Sequence, residues 1–157
     1  MDDALATPSD QVSHPDTLVT AASIIAGFGA ALIAFRLERE LEIERRDQEL
    51  PPHRREGHWF PASDWLLVIS NVAALCFVVA PLVAIESPSP RTIRLTSAVC
   101  TATAIMLAGY IPSILAHYRF FYGLTKKERK NPTLLEAVFL SITVIAAILA
   151  FAMTYRA

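Results

Sequence analysis

Apolar residues fall in four long blocks, at 17–35, 65–85, 95–116 and 134–155, with polar segments between them. Glu136, two residues into the last block, is the sole Asp, Glu, Lys or Arg in any of them. Each block is ~19–22 residues long, the length of helix that crosses a hydrocarbon core of ~30 Å at ~1.5 Å per residue. One buried helix of a soluble protein can imitate such a block, but four of four cannot be imitated that way. The pattern predicts an all-α, integral membrane four-helix bundle with spans at about 17–36, 64–86, 93–118 and 133–155.

The helical pattern does not stop where the first block ends. Residues 36–50 read RLERELEIERRDQEL, without Gly or Pro until Pro51-Pro52. Arg36–Glu40, Glu42–Arg46 and Arg45–Glu49 stand at i,i+4 spacing, which supports an exposed helix. The first transmembrane helix is therefore expected to extend out of the membrane over 36–50 and to end at the prolines. Leu37, Leu41 and Ile43 give this extension a partial apolar face. It reads first as a solvated, salt-bridged helix and second as a docking helix for a cytoplasmic protein.

The connections carry their own signals. The tail over 1–16 holds Asp2, Asp3, Asp10 and Asp16 but no Lys or Arg, so it reads as a disordered acidic segment and lacks the basic start of a cleavable signal. Ser63 is placed to cap the second span ahead of Asp64. The turn over 86–91 (ESPSPR) is short, which makes spans two and three antiparallel neighbours. Tyr118 to Tyr122 (YRFFY) reads as an interfacial anchor, and Asn131-Pro132 or a Thr133…Glu136 capping box opens the last span.

Composition and charge narrow the class. A mean hydropathy of +0.41 and 54% hydrophobic residues exceed the ~45–50% of soluble domains. A net charge of −1 argues against a basic nucleic-acid-binding domain. Of the 14 basic residues, Arg36, Arg39, Arg45, Arg46, Arg54 and Arg55 follow span one, and Arg119, Lys126, Lys127, Arg129 and Lys130 follow span three. Arg91, Arg94 and Arg156 are the remainder. That asymmetry predicts both long connections in the cytoplasm and both termini outside. The preference for Arg over Lys and the abundance of Ala suggest a GC-rich bacterial genome, and with it a bacterial inner (cytoplasmic) membrane as the location.

Candidate functional residues lie mostly in span one. Ala22, Ala26, Ala30 and Ala34 fall at four-residue spacing, with Ser23, Gly27 and Ala31 in the adjacent row and Gly29 beside them. Small residues let helix backbones approach closely, the usual driver of association in lipid. The face is expected to pack within the chain, join protomers of a homo-oligomer, or line a narrow pore. By rise per residue, Asn71, Tyr110 and Ser141 lie ~10–12 Å from the cytoplasmic ends, level with Gly29 and Ala30. They read as a hydrogen-bonding layer that sets helix register, with a ligand or ion site as the alternative.

Other chemistry is weakly supported. Ser113 and His117 share the face of Tyr110 but have no acid on the same span to orient the histidine, so no catalytic residue is assigned. His53 and His58 fall short of a metal ligand set, and no metal or cofactor is expected. Cys76 and Cys100 differ in depth by ~7–8 Å, too far for a disulfide. No span centre holds an ionisable residue of the kind proton relays and voltage sensors use.

The stretches TAASIIAGFGAALIAFRLEREL, SDWLLVISNVAALCFVVAPLV and AGYIPSILAHYRF together resemble small, uncharacterised bacterial four-span proteins. That resemblance implies the fold and no activity. The run from Ser23 to Phe28 (SIIAGF) is also similar to the first span of Orai-type calcium channels, in which that span lines an oligomeric pore. The Glu that selects calcium there falls at Phe35 here, so no selectivity residue carries over. The combined reading is a non-enzymatic, self-associating membrane protein of channel or pore-effector type; the alternative is an adaptor subunit docking a partner through 36–50. The topology makes a direct prediction. Cysteine introduced at Ser9 or Ala157 reacts with an impermeant thiol reagent on intact cells, and cysteine at Gln48 or Lys127 does not; the reverse pattern would refute the orientation.

Overall fold

The computed structural model describes residues 15–49, 51, 61–117 and 134–157, and over these the chain is all-helical. Span one is Pro15–Glu49, a single helix of 35 residues. Span two is Asp64–Ala84, span three Pro90–His117 and span four Leu134–Arg156. All four are long and apolar enough to cross a membrane. Span one runs without a break into the charged extension and stops just before Pro51-Pro52, where the missing amide ends the ladder. The expectations for the acidic tail before Pro15, the His53–His58 loop, the YRFFY anchor, the His117 side chain and the Asn131–Thr133 helix start fall outside the described residues.

Span two is not uniform. Five residues, Leu75–Val79, form a π-helical turn between two α-helical pieces, and the Ala80 amide donates to the Leu75 carbonyl. Pro81 follows at once, with no N–H to offer the carbonyl four residues back and a ring that crowds it. The wider π turn accommodates both effects while leaving the helix continuous. It also keeps Val78 buried while Leu75, Cys76 and Phe77 all face outward. The turn over 86–89 then reverses the chain, and Ser89 opens span three by accepting from the Thr92 amide at 3.2 Å.

Span three is the hub: it packs against span four most extensively, then against spans two and one. Burial differs from that of a water-soluble bundle in that polar side chains share the interior with Leu66, Leu67 and Val78 while large apolar ones line the outside. Span four is among the most apolar helices, yet only 17% of its most apolar window is buried. Ile142, Ile145, Ile148, Leu149 and Met153 all face outward. The fully buried side chains include Glu136, Thr96, Thr103, Ser63, Ser70 and Ser113. An apolar exterior of this extent would associate or precipitate in water and is stable against lipid.

Small residues bring the helices together. Gly29 of span one faces the carboxamide of Asn71, and Gly109 of span three faces the side chain of Thr143 in span four; a Cβ at either glycine would collide with that neighbour. The hydroxyls of Thr96, Thr101, Thr103 and Ser70 turn back onto carbonyls of their own helices, which satisfies them without a partner helix. A small apolar cluster of Leu18, Ala22, Ala74, Val78 and Cys100 joins spans one, two and three on the side of the 86–89 turn.

Three glycines should therefore respond differently to the same added methyl. Gly109→Ala meets a β-branched side chain held close to its own backbone and is expected to lower unfolding stability by about 1–3 kcal/mol. Gly29→Ala meets the end of a longer side chain that can swing aside, and should cost less. Gly27→Ala has open space around it and should not destabilise the fold. Thermal unfolding in detergent checks the ranking, and Thr143→Ala should restore Gly109→Ala.

Candidate functional site

Two features concentrate functional residues, a buried ionic layer where span two begins and the outward face of span one. The layer is built from residues that each end or begin an apolar block. Leu18, Ala22, Ala26 and Gly29 occupy the inward face of span one, and continuing that face brings Arg36 inward as well. Its Nη2 donates to Asp64 Oδ2 at 3.0 Å and to Glu40 Oε1 at 3.2 Å, and its Nε donates to Asp64 Oδ2 at 3.3 Å. Arg36 and Asp64 are both buried, whereas Glu40 is a third exposed. One guanidinium thus ties span one to the start of span two. The Arg36–Glu40 pair follows the i,i+4 expectation; Glu42–Arg46 and Arg45–Glu49 do not close into ion pairs.

The same end of span two is fastened to span four. Glu136 Oε1 accepts from the Ser63 amide at 3.1 Å and from the Ser63 hydroxyl at 3.2 Å. The Ser63 hydroxyl is therefore committed to Glu136 and makes no capping bond to its own helix, contrary to the sequence expectation. Glu136 is thereby tied to the start of span two, 73 residues away; the capping box expected of it with Thr133 lies outside the described residues. Its complete burial reflects this tertiary use. Two buried oxygens, Asp64 Oδ1 and Ser113 Oγ, have no hydrogen-bond partner. Among the described residues no group of three or more His, Cys, Asp or Glu could hold a metal ion.

The expected polar layer is partly rearranged. Asn71 is buried against Gly29, as their matched depth predicted, but its Nδ2 donates to the Leu67 carbonyl of its own helix at 2.8 Å. Tyr110 is buried in span three. Ser141 is exposed, with its hydroxyl on the Ala137 carbonyl at 2.8 Å. Thr143, two residues on, takes the inward position against Gly109. Span four is apolar all round, so depth along the helix was legible from the sequence but rotation about its axis was not.

The small residues of span one divide between two faces. Ala22 and Ala26 are buried within the chain, while Ser23, Gly27, Ala30, Ala31 and Ala34 face outward. The four-residue row from Ala22 to Ala34 cannot stay on one face, because each step of four residues turns about 40° around a helix of ~3.6 residues per turn. A different stripe does stay in line. Ser23, Gly27, Ala30, Ala34, Leu37 and Leu41 alternate steps of four and three residues, and all are exposed. Bulky Ile24, Phe28 and Phe35 stand beside it, also exposed. No protein-family model, curated protein or solved structure matches the chain.

The ionic layer yields a graded prediction. Arg36→Gln leaves the buried Asp64 carboxylate without its cation and should cost about 3–5 kcal/mol; Asp64→Asn, after which Arg36 keeps Glu40, should cost less than that, and Glu40→Gln, part-exposed, less than about 1 kcal/mol. Replacing both partners together, by Arg36→Met with Asp64→Leu, should recover much of the loss. Equal effects from Asp64→Asn and Glu40→Gln in unfolding experiments would show that the buried pair does not hold the two spans together.

Proposed function

We propose that the chain is a non-enzymatic integral membrane protein that self-associates through span one, of channel or pore-effector type. The observation that carries this reading is the outward stripe from Ser23 to Leu41, with open space at Gly27. Close packing of small residues drives helix association in lipid, whereas bulky side chains are equally well solvated by lipid or protein. Steps of four and three residues keep a seam facing a parallel partner helix. Two copies inserted in the same orientation would present the stripe in parallel, small within the apolar block and leucine-lined beyond it. With both long connections in the cytoplasm, as the positive charges favour, Leu37 and Leu41 fall at the cytoplasmic end, in a bacterial inner membrane.

An adaptor is the second reading, favoured by the 58% and 64% exposure of Leu37 and Leu41 on a helix that projects past the apolar block. The two readings separate by experiment. Under self-association, Gly27→Leu overfills the stripe and shifts native mass or crosslinking toward a folded monomer, whereas Ala22→Leu, placed in the chain's own core, lowers stability. If the stripe also lines a pore, Ala30→Ser or Ala34→Ser changes ion flux in liposomes with little effect on stability, because a hydroxyl wets a narrow apolar constriction. A stable monomer for every variant with no flux would refute self-association, and loss of a copurified partner on Leu41→Glu would then establish the adaptor.

A further inference from the structure

The opposite end of the bundle, where spans three and four meet beside the 86–89 turn, holds a concavity of about 430 Å³ lined by Pro90, Arg91, Arg94 and Tyr155. Arg91 and Arg94 stand at i,i+3 on the first turn of span three, so both guanidiniums serve the same side of the helix. Both are exposed, and among the described residues neither closes an ion pair with a carboxylate. Glu86, the acidic residue in the preceding turn, is exposed as well. Pro90 has no amide hydrogen, and Ser89 accepts from the Thr92 and Ile93 amides, so apart from the Arg91 amide the guanidiniums supply the donors there. Tyr155 is held in place by stacking on Phe151, with ring centroids 6.0 Å apart and planes within 4°.

The surroundings of the concavity match a lipid molecule in both its parts. One turn further along each helix the lining becomes apolar, with exposed Leu95 on span three and Phe151 then exposed Ile148 on the Tyr155 face of span four. Two unpaired guanidiniums with a phenol suit an acceptor-rich anion, since arginine forks pair with phosphate oxygens through parallel charge-assisted bonds. A phosphate at the ends of two membrane-crossing helices lies at headgroup depth, with its acyl chains against the apolar surface below. We propose that this concavity binds the phosphate of an anionic membrane lipid, Arg91 and Arg94 donating to its oxygens and Tyr155 Oη completing the contact. The proposal rests on the membrane reading but is independent of self-association and of orientation.

Native mass spectrometry of the full chain released from micelles tests it, with phosphatidylglycerol, phosphatidylcholine and inorganic phosphate as probes. Phosphatidylglycerol adducts should exceed phosphatidylcholine adducts, and Arg91→Gln with Arg94→Gln should weaken phosphatidylglycerol binding about tenfold or more. Arg91→Lys with Arg94→Lys should keep part of the affinity, and Arg156→Gln, which removes a cation outside the concavity, should leave it unchanged. Circular dichroism confirms that each variant remains folded, as expected for exposed positions. Equal adducts of the two lipids, or unchanged phosphatidylglycerol binding in the double glutamine variant, would overturn the site. Binding of inorganic phosphate with no preference for phosphatidylglycerol would make it a free-anion site and overturn the lipid assignment. A chain that stays monodisperse in buffer without detergent and carries no lipid would instead overturn the membrane reading itself.

Discussion

In a hydrocarbon solvent a large apolar side chain gains nothing by moving from solvent to protein, and the remaining structure follows from that constraint. The isoleucines and leucines of span four face outward, while its inward stripe is Glu136, Thr143 and Ala147. Cohesion then comes from backbones brought close and from polar groups that lipid cannot satisfy. Gly29 against Asn71 and Gly109 against Thr143 are contacts of the first kind. The Arg36–Asp64 pair and the Glu136–Ser63 bonds are contacts of the second.

These contacts are distributed unevenly along the bundle. Near the 86–89 turn, spans one to three meet through the small cluster around Ala22, Ala74 and Val78. At the other end, long connections separate the spans in sequence, and buried polar bonds fix the start of span two to spans one and four. Residues 63 and 64 carry both attachments, Ser63 toward Glu136 and Asp64 toward Arg36. Two adjacent residues at the start of one span thereby attach it to two others. The unpartnered Asp64 Oδ1 shows that this arrangement keeps a polar oxygen buried without full compensation.

Span one has two distinct lines of contact. Its inward line, through Ala22, Ala26, Gly29 and Arg36, is occupied by the chain itself. Its outward line, from Ser23 to Leu41, is exposed and has no occupant among the described residues, and it is there that self-association is proposed. Arg36 and Leu37 are adjacent in sequence yet belong to opposite roles, one closing the fold and the other exposed. The paired arginines at the far end supply a separate polar surface, so association between copies and recognition of lipid would not compete for the same residues.

Element existence was legible in the sequence because length and apolarity are local properties. Four apolar blocks with a single charged residue among them were sufficient to place four spans, and Pro51-Pro52 marked the end of the extension. Depth was legible as well, since a fixed rise per residue placed Asn71 level with Gly29. Rotation was not. A helix in water reveals its buried face through alternation of apolar and polar residues, but a helix in lipid is apolar on both faces and loses that signal. Ser141 and Thr143 are equivalent in sequence, and only the contact with Gly109 distinguishes them. The same holds for the bonds of Glu136 and Asp64, whose partners lie on other spans and become neighbours only when the helices pack.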